Sequence, residues 1–269
     1  MLEPTARSKV RTGAKRTVRD QQAVEDILDA GFLAFVAFNR KGDDVDGAPT
    51  VLPTAYCRDG DAILLHGKQG SGLQKHIATQ LPVCVCTAIT DGVVMAKSGM
   101  HHSMNYRSVV IYGVGEEVSE KSAKVRALNL LTDRLTYEGR SDTLRPISNA
   151  ELTSTTVTRL PLREVACKVR AEGVNDDAAD LDWPCWAGVV PLVLASLPPV
   201  SAPQAGSLPP PSEAVRLERP GRGVVPVEDL TGGRTRSEAF WKGVGLGVGA
   251  SGLLVTLLVM AAQRLKQRV

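Results

Sequence analysis

APTVLPTAYCRDGDAILLHG, residues 48–67, is the stretch whose reading decides the fold. Two runs rich in apolar and β-branched residues flank Arg58-Asp59-Gly60-Asp61, and an Asp-Gly pair suits a tight hairpin turn. Upstream, Asp20 is placed to cap a short helix with Val24, Ile27 and Leu28 on one face and Gly31 at its end. GFLAFVAF (31–38) then reads as a buried strand. Downstream, a short helix is expected from Ser71 to about Thr79. LPVCVCTAIT (81–90) and VVMAKS (93–98) follow, separated by Asp91-Gly92, which reads as a second hairpin turn. YRSVVIYGVGEEV (106–118) gives another strand, and Lys121 to Leu135 an amphipathic helix. Ser148 and Glu151 form a capping box before a further short helix, and TSTTVTRLPL (153–162) and EVACKVRAEGV (164–174) supply the final strands.

Six or seven strands in hairpins with two to four helices make a mainly β chain with peripheral helices. There is no regular strand–helix–strand alternation and no glycine-rich Rossmann or P-loop fingerprint. A small antiparallel barrel fits this pattern best. With 269 residues and 43% hydrophobic content, the chain can bury one sizeable core and still carry accessory segments. Its 32 basic and 29 acidic residues nearly balance, so nothing marks a nucleic-acid binder. Five cysteines, odd in number and without an apolar leader ahead of them, are expected as free thiols.

Composition divides the chain into a folded domain (1–192), a Pro-rich linker (193–239) and a C-terminal region (240–269). Nine of the sixteen prolines fall between Pro191 and Pro226, so the linker is expected to stay extended or disordered. From Gly243 to Gln263 no residue is charged, a length that matches one transmembrane helix. Trp241 stands at one end of it and Arg264, Lys266 and Arg268 at the other. The expectation is a single-pass tail anchor at 243–263 with the domain facing the cytosol, on a mitochondrial, peroxisomal or plastid surface. Gly245 and Gly249 form a small-residue motif that lets helices approach closely in lipid.

Three longer stretches resemble one family: PTAYCRDGDAILLHGKQGSGLQKHI (53–77), LPVCVCTAITDGVVMAKSGMHHSMNYRSVVIYG (81–113), and LPLREVACKVRAEGV with DWPCWAGVVPL (160–174 and 182–192). These are similar to the pyridoxamine 5′-phosphate oxidase-related flavin-nucleotide-binding proteins, a group that includes the nitroimidazole-resistance reductases. HHSMNYRSV (101–109) is the most specific element, and RSKVRTGAKRTVRD (7–20) resembles how those proteins begin. The resemblance spans about residues 7–192 and implies an FMN-binding split β-barrel that forms a homodimer with flavin at the subunit interface.

Carried over residue by residue, the resemblance implies that Pro53 and Thr54 lie along the flavin ring. It implies that the turn His66-Gly67-Lys68 with Ser71 holds the phosphate, and that Trp186 packs near the cofactor of the partner subunit. Ser71 opens a predicted helix, where unpaired N–H groups favour an anion and the Lys68 ammonium adds a charge-assisted bond. Where many relatives carry Arg after this serine, the chain has Gly72, which shifts phosphate binding toward Lys68, Lys75 or Arg107. Asn105, Tyr106 and Arg107 offer an amide, a ring and a planar cation for phosphate or the polar edge of the flavin, and Lys168 is a further contact.

The expected activity is that of an FMN-dependent oxidoreductase with NADH or NADPH as electron donor. No catalytic side chain and no metal site is named, because the flavin carries the redox chemistry. Two other readings stay open: a flavin-binding carrier or sensor without turnover, and a related barrel that binds haem.

Overall fold

The computed structural model describes residues 3–39, 47–215 and 225–226. Ten strands form one antiparallel sheet: β1 (Thr17–Val18), β2 (Leu33–Asn39), β3 (Pro49–Asp59), β4 (Ala62–Lys68), β5 (Val83–Met95), β6 (Ser103–Gly113), β7 (Glu116–Glu117), β8 (Thr155–Pro161), β9 (Glu164–Arg170) and β10 (Gly188–Pro191). Their order is β1-β9-β6-β5-β2-β3-β4-β8-β7, with β10 added along β5. The helices are α1 (Gln21–Ala30), α2 (Gly72–Ala78), α3 (Lys121–Leu135) and α4 (Asn149–Ser154). The architecture is mainly β with few helices, as the sequence led one to expect; the strands beyond seven are the short β1, β7 and β10.

Several local readings hold. The hairpin at Asp59-Gly60 joins β3 to β4, with Gly60 at φ 58°. Asp20 caps α1 by accepting from the Ala23 N–H at 2.9 Å, and Ser148 with Glu151 closes a capping box on α4. β3 is the pivot of the fold. Pro49–Ala55 pair with β2, whereas Tyr56–Asp59 pair with β4, so one strand passes from one half of the sheet to the other. Curling the sheet at this point encloses Val36, Ile63, Leu65, Val85, Val109, Ile111 and Leu160. A second, smaller core lies where α3 covers Cys57, Leu64 and Val157 with Ala127 and Leu131. All five cysteines are free thiols.

Gly31 ends α1, but by providing space and not through a left-handed turn, since its φ is −83°. A Cβ added there would lie 2.5 Å from the Tyr56 hydroxyl, which donates to the Leu28 carbonyl at 2.8 Å. Gly31→Ala should therefore destabilise the fold by about 1–3 kcal/mol through overpacking. Urea titration of Gly31→Ala alone and combined with Tyr56→Phe checks the cause: removing the hydroxyl should return part of the loss.

Two expectations are corrected. Asp91-Gly92 is not a hairpin turn, because β5 runs unbroken from Val83 to Met95 and pairs with β6 on both sides of it. The register shifts between Thr90 and Gly92, which makes Asp91 the extra residue of a β-bulge. Arg107 fixes the bulge by donating to both Asp91 carboxylate oxygens at 2.8 and 2.9 Å, and β10 lies so close to Gly92 that an added Cβ would sit 3.0 Å from the Val190 carbonyl oxygen. The second correction concerns β2. Only Ala34, Val36 and Phe38 are buried, while Leu33 and Phe35 remain 45% and 46% exposed. The outer side of the strand stays largely uncovered among the described residues, with Leu192–Leu194 facing its Leu33 end across a cavity.

The packed body continues slightly past residue 192. The Leu192 N–H donates to the Asp91 carbonyl, and Leu192–Leu194 close a cavity of about 220 Å³ against residues 30–33 and 87–91. Within 193–215 the chain forms short turns at Pro203–Ala205 and Ser212–Val215. The expected membrane span at 243–263 and its flanks lie outside the described residues. Among the described residues no helix is long and apolar enough to cross a membrane.

Candidate functional site

Successive side chains of a strand point to opposite faces, so the pairing register fixes which residues share the outside of the barrel. Phe35 pairs with Pro53 on one side and Cys86 on the other, Cys86 with Val110, and Val110 with Ala166. The neighbouring row runs Val51, Ala37, Cys84, Tyr112 and Glu164. Its β2–β3 part is apolar and bare, with Val51 57% exposed and Leu33, Phe35 and Pro53 exposed with it, whereas at the far end Arg7 lies over the Tyr112 ring and pairs with Glu164. An open apolar sheet face of this kind marks a binding surface. Burial pushes the Cys84 and Cys86 thiols up, so neither is poised as a thiolate.

His66 stands at the border of this face. It pairs with Val157 and shares a side of β4 with Leu64, both of which lie in the core beneath α3. The chain has four histidines. His76 contacts the Pro82 carbonyl, His101 the Asp177 carboxylate and His102 the Ser98 carbonyl. His66 alone among them has a ring nitrogen, Nδ1, that is shut off from solvent with no partner among the described residues. Burial pushes its pKa below the ordinary histidine value, which keeps the imidazole neutral. A neutral imidazole is the form in which a histidine can ligate a metal.

The residues singled out from sequence fall into separate places. Lys68 ends β4 opposite Thr155, and Gly70 (φ 75°) turns the chain so that Ser71 begins α2. The Ser71 side chain makes no capping bond, which leaves its hydroxyl uncommitted beside Lys68. Gly67 is held by close approach, since an added Cβ would lie 3.2 Å from Gln74 Nε2 on α2. Pro53 lies on the bare face, whereas Thr54 pairs with buried Ala34 and shares the inner side of β3 with Tyr56. Trp186 is 62% exposed on the segment after the single 3-10 turn Ala178–Asp180, with its ring laid against Gly188.

Two of the β6 residues are engaged inside the protein. Arg107 is bound to Asp91. The Asn105 side chain is committed to the backbone around Glu172 and to Arg170, donating to the Glu172 carbonyl at 3.0 Å and accepting from the Glu172 N–H at 3.1 Å. Tyr106 and Lys168 come together on the outer side, because Tyr106 pairs with Arg170 and Ser108 with Lys168. Arg16 and Arg170 join them there. Neither was singled out from sequence, although Arg170 stands two residues after Lys168 on an alternating strand and so shares its face. The Arg16 guanidinium holds the Glu172 carboxyl below the usual carboxylate range, with Arg170 and Lys15 adding to the effect.

Comparisons with known proteins agree with this architecture. A family model described as pyridoxamine 5′-phosphate oxidase matches residues 20–169. The chain is similar to the flavocytochrome Anf3 from Azotobacter vinelandii, with 32% identity and a TM-score of 0.72 over 80% of this chain and 97% of that one. It is also similar to the FAD and haem binding protein from Mycobacterium smegmatis, with 31% identity and a TM-score of 0.68 over 74% of this chain and 95% of that one. Among curated proteins there is no match.

Proposed function

The chain belongs to the pyridoxamine 5′-phosphate oxidase-related flavin-binding family, and on that premise we propose that it is a flavin-dependent oxidoreductase that pairs its flavin with a haem. The observation that carries the proposal is His66, an uncommitted neutral imidazole at the edge of a bare apolar sheet face. The two similar structures named above support the pairing, one described as a flavocytochrome and the other as binding FAD and haem. The second of these favours FAD over the FMN expected from sequence.

When bound, the flavin supplies hydride and single-electron transfer and the haem supplies single-electron chemistry. The chain's own residues bind, orient and exclude water. Phe35, Val51 and Pro53 offer an apolar floor for a flat ring system. Lys68 and the Ser71 hydroxyl offer a cation and a donor to a phosphate. His66 offers an imidazole nitrogen to iron. A second copy of the chain covering the bare face would complete a homodimer and dry the site. NADH or NADPH is the proposed reductant. The tether through 243–263, with the domain on the cytosolic side, belongs to the same reading and rests on the charge-free length of that stretch.

The test is an absorption spectrum of the purified full chain, followed by extraction and chromatography of its cofactors and by anaerobic addition of NADPH. Flavin and haem bands together, with flavin bleaching on reduction, are expected. Flavin without haem would favour the sequence's simpler flavoprotein reading. A colourless chain that takes up neither FAD nor FMN would overturn the proposal.

A further inference from the structure

On the outer side of β9 the N-terminal arm brings cations together in excess of what the fold needs. Arg16 donates to both Glu172 oxygens at 3.2 and 2.9 Å, and Lys15 Nζ stands 3.6 Å from the same carboxylate. Arg170 Nε lies 3.3 Å from it without the alignment of a hydrogen bond, on a side chain only 6% exposed. Among the described residues Lys168 reaches the Thr12 carbonyl, at 3.2 Å, and no carboxylate. Gly13, at φ 70°, draws these groups together: a Cβ added there would lie 3.6 Å from Lys168 Nζ and 3.8 Å from the Arg16 guanidinium. Among the described residues, Glu172 is the one carboxylate within ion-pair distance of Lys15, Arg16 and Arg170.

Clamping the arm to β9 needs one such pair. Gathering three cations around one carboxylate with a fourth, Lys168, close by, and with the Arg170 side chain almost wholly desolvated, leaves positive charge in excess that a further anion would balance. We propose that Lys15, Arg16, Lys168 and Arg170 form a recognition site for the diphosphate of a nucleotide, separate from the Lys68–Ser71 turn. The half-exposed rim at Lys15 and Glu172 gives access, and Tyr106, in register with Arg170, borders the site with a ring and a hydroxyl. The chemistry is that of a phosphate pair, whether it belongs to a nicotinamide dinucleotide or to a flavin dinucleotide. The charge argument stands without the haem reading.

Calorimetric titration of the full chain, as purified, with inorganic pyrophosphate and then ADP tests the site. Lys15→Ala should weaken pyrophosphate binding about tenfold, the effect of one charge-assisted bond. Glu172→Gln should strengthen it, because the competing carboxylate is gone; a mere clamp predicts no gain. Flavin content is read on the same samples. Loss of flavin from Lys15→Ala would identify the flavin's own diphosphate as the natural ligand, and retained flavin with weaker NADPH binding would identify the reductant's. Absence of pyrophosphate binding to the unaltered chain after its flavin has been removed, or affinity and flavin content both unchanged in Lys15→Ala, would overturn the site while leaving the flavin assignment intact.

Discussion

Arg107→Ala should lower folding stability by about 3 kcal/mol, the scale for breaking a largely buried ion pair. Arg107 and Asp91 are 13% and 11% exposed and share two hydrogen bonds, so removing the cation strands a carboxylate inside the bulge of β5. Removing both charges should cost much less, because Asp91→Asn with Arg107→Met leaves no isolated ion behind. Urea denaturation of the single and double variants measures the difference. The flavin-contact role implied for Arg107 by family resemblance makes the opposite forecast: a stable protein with less bound flavin. An alanine variant that unfolds at the normal urea concentration yet loses its cofactor would sink the structural assignment.

The two Asp-Gly pairs show what was legible in the sequence and what was not. At Asp59-Gly60 the dipeptide lies between two strands that pair with each other, and its local turn chemistry decides the outcome. At Asp91-Gly92 the same dipeptide lies inside one long strand, and the deciding group is Arg107, on a different strand. Caps were readable for the first reason: Asp20 on α1 and Ser148 with Glu151 on α4 act within one helical turn. The bare outer face of β2 was not readable, because an apolar run looks the same whether its second face meets a core or nothing. Lys168 and Tyr106 could be named as candidates from motif resemblance. Their neighbours Arg16 and Glu172 depend on the pairing of β1 with β9, which joins residues about 150 positions apart. Long-range pairing of that kind leaves no periodic trace in either segment.

On the haem-binding reading proposed above, replacing His66 by alanine should remove the haem while leaving flavin and fold in place. An iron ligand must present an unprotonated nitrogen that no strong donor or acceptor already holds. His76, His101 and His102 each hold one ring nitrogen against a protein oxygen, whereas His66 is the histidine with a dry, unpartnered nitrogen, Nδ1, and a pKa pushed down by burial. The same depression sets the pH behaviour of the haem-free chain. A histidine kept neutral in the fold takes up a proton more readily when unfolded, so His66 favours the folded state above about pH 6.5 and this contribution fades as pH falls below it. His66→Ala should flatten that part of the pH–stability curve. Truncating a half-buried imbedded ring leaves a void beside Leu64 and Val157, so a modest stability loss is expected alongside. Haem retained at full occupancy in His66→Ala, with the Soret band unshifted, would move the iron ligand elsewhere and leave this orphaned imidazole without a role.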